Sequence, residues 1–498
     1  MRSKNAKLNI TTNVILNIIT IIYGFIVPKI IISHFGSNVN GLVSSVTQFL
    51  AYIALLESGF GPVIKAKLYK PLATKNNKEL VSILKVTEKF FRKIAAIFII
   101  YILILCIFYP LLINSNFNLI FTISLILIIS ISTFAEYFFG MTYRLFLQAD
   151  QKSYVISFIQ IISYILSIIA VIYFAYINSS IQIIKLITAL IFVMRPIIQN
   201  LYVKRKYKIN FNNYDSNYKL DNKWDGLAQH IAAVIHGNTD ITLLTLFSTF
   251  LEVSVYSVYN LIINGIKSFI QSFTNGIEGI FGNMIANNEK DNLNKKFKLY
   301  EIGYFSICTI IFSTTMIMIV PFVEVFTKGI TDVNYSRHLF GTLLVISEFV
   351  WAIRLPYISL TYSAGHFKET RIGAWIECLV NIVVSIILVN KLGIVGVTIG
   401  TLIAMIIRAV EFIYHANKYI LKRNILENIK ILLVVISSFT LIIFICNFLP
   451  LLNNINYLNW IINASWIFII SMIIVLLFDV LFYKKELVDI FQLFKRRK

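Results

Sequence analysis

The sequence predicts an all-α polytopic membrane protein of about fourteen transmembrane helices, with both termini on the cytoplasmic side. Three observations point there. Of 498 residues, 58% are apolar and the mean hydropathy is +0.78, which leaves too little polar surface to cover soluble domains of that size. Apolar stretches of about 20 residues, the length that crosses a hydrocarbon core of roughly 30 Å, recur along the whole chain. Basic residues alternate between the connections that separate them.

The stretches fall at 8–33, 40–62, 92–113, 117–142, 153–177, 180–203, 226–248, 254–278, 300–326, 337–362, 372–390, 393–415, 428–450 and 459–483. The first follows a basic start, Met1 to Lys7, that resembles a signal-peptide n-region. Its apolar run is too long and lacks a small-residue cleavage site, so a retained first helix is expected. The net charge of +21 would suggest nucleic acid in a soluble protein. Here only Lys328, Arg337 and Lys391 lie on odd-numbered loops, and Lys29, Lys185, Arg195, Lys267, Arg354 and Arg408 fall inside spans. The rest of the 45 basic residues gather at the termini, on even-numbered loops or at the first residues of the spans that follow those loops. That is the positive-inside pattern. It makes Lys204 to Lys206 and Lys495 to Lys498 topology anchors near anionic headgroups, with no nucleic-acid partner expected.

The longest connections, near 63–91, 204–225 and 284–299, are far shorter than a folded domain, so no soluble catalytic module is expected. A weak internal repeat offset by about 214 residues aligns Val39 with Val253, and Ala73 to Asn77 with Ala286 to Asn288. A parallel repeat of this kind predicts paired lobes about a central site. The expected division is 1–203 as a lobe of spans 1–6, 204–225 as a cytoplasmic linker, 226–416 as a lobe of spans 7–12, and 417–498 as spans 13–14 with a basic tail. Cys106, Cys308, Cys378 and Cys446 lie in apolar stretches without paired or metal-ligand spacing and read as packing residues. No metal and no cofactor are expected.

Polar side chains inside the spans are costly in lipid and face protein or a water-filled path. Span 8 places Asn260, Asn264, Lys267, Gln271, Asn275 and Glu278 on one helical face for about 27 Å. Span 7 aligns Asp225, Gln229, His236 and Asp240 within a sector of about 60°. Span 1 offers Asn9, Asn13, Asn17, Thr20 and Gly24. Span 6 offers Lys185, Thr188, Arg195 and Gln199, span 10 offers Ser347 and Arg354 with Glu348 off their line, and span 11 offers Glu377, Asn381 and Ser385. Interhelical hydrogen bonding accounts for isolated polar residues, whereas stripes of this length on several helices predict a hydrated central cavity. Its cations are Arg354, Lys267, Arg195 and Lys185. Lys29 is a fifth candidate, although it lies opposite its span's stripe, after Pro28, where snorkelling to the surface is the competing reading. Asp240, Glu278, Glu136 and Glu377 are the acids, which either neutralise these cations or carry protons or sodium. A basic cavity suits an anionic headgroup, and an arginine fork suits diphosphate.

The segments Gly41 to Gln48, Leu55 to Pro62, Gly140 to Tyr143, Gln148 to Gln151, Tyr202 to Ile209, Thr327 to Tyr335 and Arg354 to Pro356 carry a resemblance that covers essentially the whole chain. The chain resembles the polysaccharide-flippase branch of the multidrug/oligosaccharidyl-lipid/polysaccharide exporter superfamily, and O-antigen flippases within it. The resemblance implies a MATE-like core of two six-helix lobes plus two C-terminal helices, working by alternating access in the bacterial cytoplasmic membrane. It implies a polyprenyl-diphosphate-linked oligosaccharide as cargo, moved to the outer leaflet, with Arg354, Lys267 and Arg195 as cavity cations. A cation-coupled multidrug exporter is the alternative. A membrane-embedded polymerase or acyltransferase is a more distant one, because no outer loop exceeds about 15 residues.

Overall fold

Helix is the one regular conformation that satisfies its own backbone hydrogen bonds within a lipid-exposed segment, and the computed structural model of the chain is built from helices, with no strand among the described residues. The structure describes residues 2–57, 60–113, 117–207, 227–274, 277–449, 452 and 456–495. The expected linker therefore falls mostly outside the described residues, as do Asp225 and Asn275.

Sixteen α-helices follow one another among the described residues. They are α1 (Arg2–Ala51), α2 (Phe60–Thr74), α3 (Asn77–Leu112), α4 (Leu119–Ala135), α5 (Met141–Ala149), α6 (Ser153–Tyr176), α7 (Ile181–Tyr207) and α8 (Leu227–Phe247). Then come α9 (Phe250–Thr274), α10 (Ile277–Ala286), α11 (Lys290–Phe326), α12 (His338–Ser363), α13 (Arg371–Leu392), α14 (Ile394–His415), α15 (Ile425–Cys446) and α16 (Tyr457–Lys495). Among the described residues, eleven helical stretches are long and apolar enough to cross a membrane. The first of these, 53 residues long, is too long for one crossing and breaks at Gly36 (φ 81°), a conformation that a Cβ disfavours, so it supplies two spans. The polar helices α8 and α9, 21 and 25 residues long, complete the fourteen. This is a multi-pass membrane protein.

Two compact units make up the chain, Met1–Ser254 and Val255–Lys498. In the first, the half of α1 beyond Gly36 packs on α8 through a polar seam. Gln48 donates to the Gly237 carbonyl (3.0 Å), the Tyr52 and Thr242 hydroxyls are 3.0 Å apart, and Thr245 and Tyr109 both donate to Ser45 (2.7 Å each). Gly41 is required here: a Cβ would lie 1.9 Å from the Phe250 carbonyl oxygen. Asn40 donates to Ser254 (2.8 Å), 214 residues away, the same offset at which the repeat aligns Val39 with Val253.

In the second unit α16 lies antiparallel along α11. Lys295 pairs with Asp489 (3.1 Å), Lys298 with Glu486 (2.7 Å), Ser306 with Asp479 (2.7 Å) and Ser313 with Ser471 (3.2 Å), and the Trp460 indole donates to the Met318 carbonyl (3.1 Å). Lysine–carboxylate pairs sit toward one end, and serine hydroxyls, one of them bound to Asp479, occupy the middle. That gradient suits a helix pair entering lipid, because neutral hydrogen bonds carry a smaller desolvation cost there than ions.

Candidate functional site

The cations predicted to face a cavity divide by unit. In the second unit each has a carboxylate. Arg354, on α12, places Nη1 2.6 Å from Oε1 of Glu377 on α13. The same carboxylate's Oε2 lies 3.4 Å from Nε of Arg408 on α14, and Arg408 Nη1 continues to Glu411 and to the Thr370 carbonyl (2.9 Å). Both arginines and Glu377 are buried, and Gly373 makes room for the Glu411 carboxylate, which a Cβ there would strike. The result is a neutral two-arginine, two-glutamate chain tying α12, α13 and α14 together. Burying these charges is tolerable because each offsets another, whereas removing one member strands its partner in a medium of low dielectric.

Lys267 on α9 places Nζ 2.9 Å from Oε2 of Glu348 and 4.6 Å from the Trp351 ring centroid, one turn further along α12. Of the span 8 stripe, Asn260 and Lys267 are half-buried and Asn264 and Gln271 are exposed. Glu278 belongs to α10; its side chain is exposed and its carbonyl accepts from Ser363 (2.9 Å). Asn381 and Ser385 are buried where α13 meets α14, bonded to Thr401 (3.0 Å) and the Val397 carbonyl (3.2 Å).

Sequence reasoning missed a further, fully buried ion-pair centre in this unit. Glu301 on α11 is fully buried and receives Arg423 Nη2 at 2.9 and 2.7 Å, Asn428 Nδ2 at 2.8 Å, and the Tyr357 hydroxyl. It joins α11 and α12 to the start of α15. A fully satisfied carboxylate of this kind fixes one arrangement of the helices around it.

The first unit differs. Arg195 on α7 is half-buried, with its guanidinium 3.8 Å from the Phe192 ring centroid and 4.3 Å from that of Tyr164 on α6. Tyr23 of α1 closes the collar, 4.8 Å from Tyr164 between ring centroids. Among the described residues Arg195 forms no ion pair, and its Nε and Nη2 are buried without a hydrogen-bond partner. Ser167 Oγ, Gln199 Oε1 and Asn200 Oδ1, on the same two helices, are likewise buried and unpartnered. Buried polar atoms are normally satisfied by protein or water, and the second unit holds unpartnered ones too, Arg354 Nε and Asn381 Oδ1 among them. Nearly three turns toward the start of α7, Lys185 is half-buried and also forms no ion pair among the described residues.

The acids of this unit are engaged or buried. Glu136 sits in a single wide turn of π-helix (Glu136–Gly140) and meets Arg144 at 3.4 Å. Asp240 on α8 is buried and partnered. Lys29 is half-buried and partnered. Asn13 and Asn17 lie exposed on the first half of α1, while Asn9 binds the turn before α6 through the Gln151 carbonyl (2.9 Å) and the Tyr154 amide (2.8 Å). Gln229 and His236 are on α8, and their side chains lie outside the described residues. Among the described residues no group of three or more histidine, cysteine or carboxylate side chains is placed to hold a metal ion.

No protein-family model and no curated protein sequence matches this chain. Solved structures do. The chain is similar to the lipid II flippase MurJ, in an inward closed conformation, with a TM-score of 0.70 and 16% identity over 96% of this chain and 99% of that one. It is similar to an inward-facing multidrug-resistance MATE family transporter of the MOP superfamily (TM-score 0.66, 13% identity, 80% and 94% of the two chains). A Vibrio cholerae MATE transporter matches at a TM-score of 0.58 with 14% identity, over 85% of this chain and 99% of that one. The protein thus has the fold of MurJ and the MATE transporters. Those three proteins are flippases and transporters, and at these identities the likeness is one of architecture.

Proposed function

We propose that this protein is a flippase that carries a polyprenyl-diphosphate-linked oligosaccharide from the cytoplasmic to the outer leaflet of a bacterial cytoplasmic membrane, by alternating access and without enzymatic chemistry. The observation that carries the reading is Arg195, an arginine inside a span with no carboxylate partner and two unpartnered nitrogens. A guanidinium presents a planar fork that matches phosphate oxygens, and a site short of one anion is suited to receive one. Lys185 on the same helix adds a second positive charge. Aromatic rings around Arg195 exclude water and so strengthen its attraction for an anion. The MurJ-like architecture supports a lipid-linked cargo over a free one. Asp240, Glu136 and Glu278 are the acids available for coupling to protons or sodium, and Glu377 serves to balance charge.

The test is transbilayer movement of a polyprenyl-diphosphate sugar by purified protein in liposomes. The parent moves it, and Arg195→Gln slows movement at least about tenfold, the loss of roughly one charge-assisted hydrogen bond. Equal rates for the two proteins would remove the site; no movement by either would remove the substrate class.

A further inference from the structure

Between the end of α14 and the start of α15 the chain makes a turn of π-helix, Ala416–Leu421, and then places Lys422 in the left-handed region (φ 52°). The turn encloses an open cavity of about 470 Å³ lined by Tyr414, Asn417, Lys418, Lys422, Arg423 and Ile425. Its floor is rigid. Arg423 is bound to Glu301 and to the Asn417 side chain, its amide donates to the Asn417 carbonyl (3.2 Å), and Asn417 is buried. Its walls carry uncompensated charge. Lys418 touches only tyrosine, with Nζ 2.6 Å from the Tyr414 hydroxyl, and Lys422 forms no ion pair among the described residues. Glu427, the nearest acid along α15, forms none either. The cavity lies where one membrane-crossing stretch ends at Leu421 and the next begins at Ile425, the depth at which lipid phosphates sit.

We propose that this cavity is a binding site for the phosphate headgroup of an anionic membrane phospholipid. Lys418 and Lys422 supply the charge, the Tyr414 hydroxyl adds a donor, and Arg423 fixes the floor without itself contacting the lipid. The bound headgroup bridges α14 and α15, and so fastens the last two membrane helices to the rest of the second unit. The site is independent of the transport reading.

The test uses the full chain, purified and stripped of lipid, with thermal unfolding followed on adding phosphatidylglycerol, phosphatidylcholine or inorganic phosphate. Phosphatidylglycerol raises the midpoint by more than about 3 °C at saturation, and the other two do not. The double variant Lys418→Gln, Lys422→Gly loses most of that increment. Glycine accepts a positive φ more readily than lysine, so the variant without lipid unfolds no earlier than the parent. A control, Lys65→Gln with Lys67→Gln, keeps the increment. The proposal is overturned if the double variant keeps it, if the control loses it equally, or if phosphatidylcholine matches phosphatidylglycerol. An equal shift with inorganic phosphate would overturn the lipid assignment in favour of the free ion.

Discussion

Two cations within the spans of the first unit, Arg195 and Lys185, are treated unlike those of the second. In the second, Arg354, Arg408 and Lys267 each meet a carboxylate, and Arg423, beside the last pair of spans, meets Glu301. In the first, Arg195 and Lys185 meet none among the described residues. A closed ion pair in lipid is a structural element whose worth lies in holding helices in one arrangement. An arginine wrapped in aromatic rings with idle nitrogens has its charge available. The difference teaches that a charge inside a span marks function only after its partners have been counted.

Substitutions can break that contrast. The largest effect is expected from Arg423→Met, which leaves Glu301 buried and opposed only by neutral donors. It should lower unfolding stability by about 3–5 kcal/mol, read from the denaturation midpoint in detergent, and adding Glu301→Gln should recover much of the loss. Arg354→Met is next, at about 2–3 kcal/mol, because Arg408 still serves Glu377. Arg195→Gln should cost less than about 1 kcal/mol, since no ion pair is lost, while transport falls at least about tenfold. Comparable stability losses for Arg195→Gln and Arg354→Met would erase the distinction between the units. The smallest effect belongs to Lys85→Ala, whose long, partly exposed contact with Glu88 (3.9 Å) is worth well under about 1 kcal/mol by the same measurement.

The spans were legible in the sequence because lipid imposes a length and a composition that local reading detects. Gly36 shows the limit of that reading. A gap of six residues between the first two spans suggested a loop, whereas the chain runs on as helix with a single break. The stripe on span 8 was legible as a period of 3.6, but it predicted a continuous face to Glu278, and that residue falls on the separate helix α10. Partner choice was not legible. Glu348 lay off the line of Ser347 and Arg354 and still meets Lys267, because a lysine stem reaches well beyond its own helical face. Glu301, Tyr357, Arg423 and Asn428 are separated by up to 127 residues, and Arg423 by itself read as one more basic loop residue. The one local signal was an acid at the very start of an apolar span, which is costly unless paired. The polar residues of Gly41 to Gln48 marked the fold's resemblance, but their packing task against α8 became visible only once the partners were placed.

The most direct test of the account compares equilibrium binding of a polyprenyl diphosphate with that of the uncharged polyprenol of equal chain length, to the parent and to Arg195→Gln in the same detergent. The parent is expected to favour the diphosphate by at least about tenfold, roughly 1.4 kcal/mol, and the variant to lose most of that preference. Equal affinity of the parent for both lipids, or an undiminished preference in Arg195→Gln, would contradict the claim that the unpaired arginine of the first unit receives an anionic cargo.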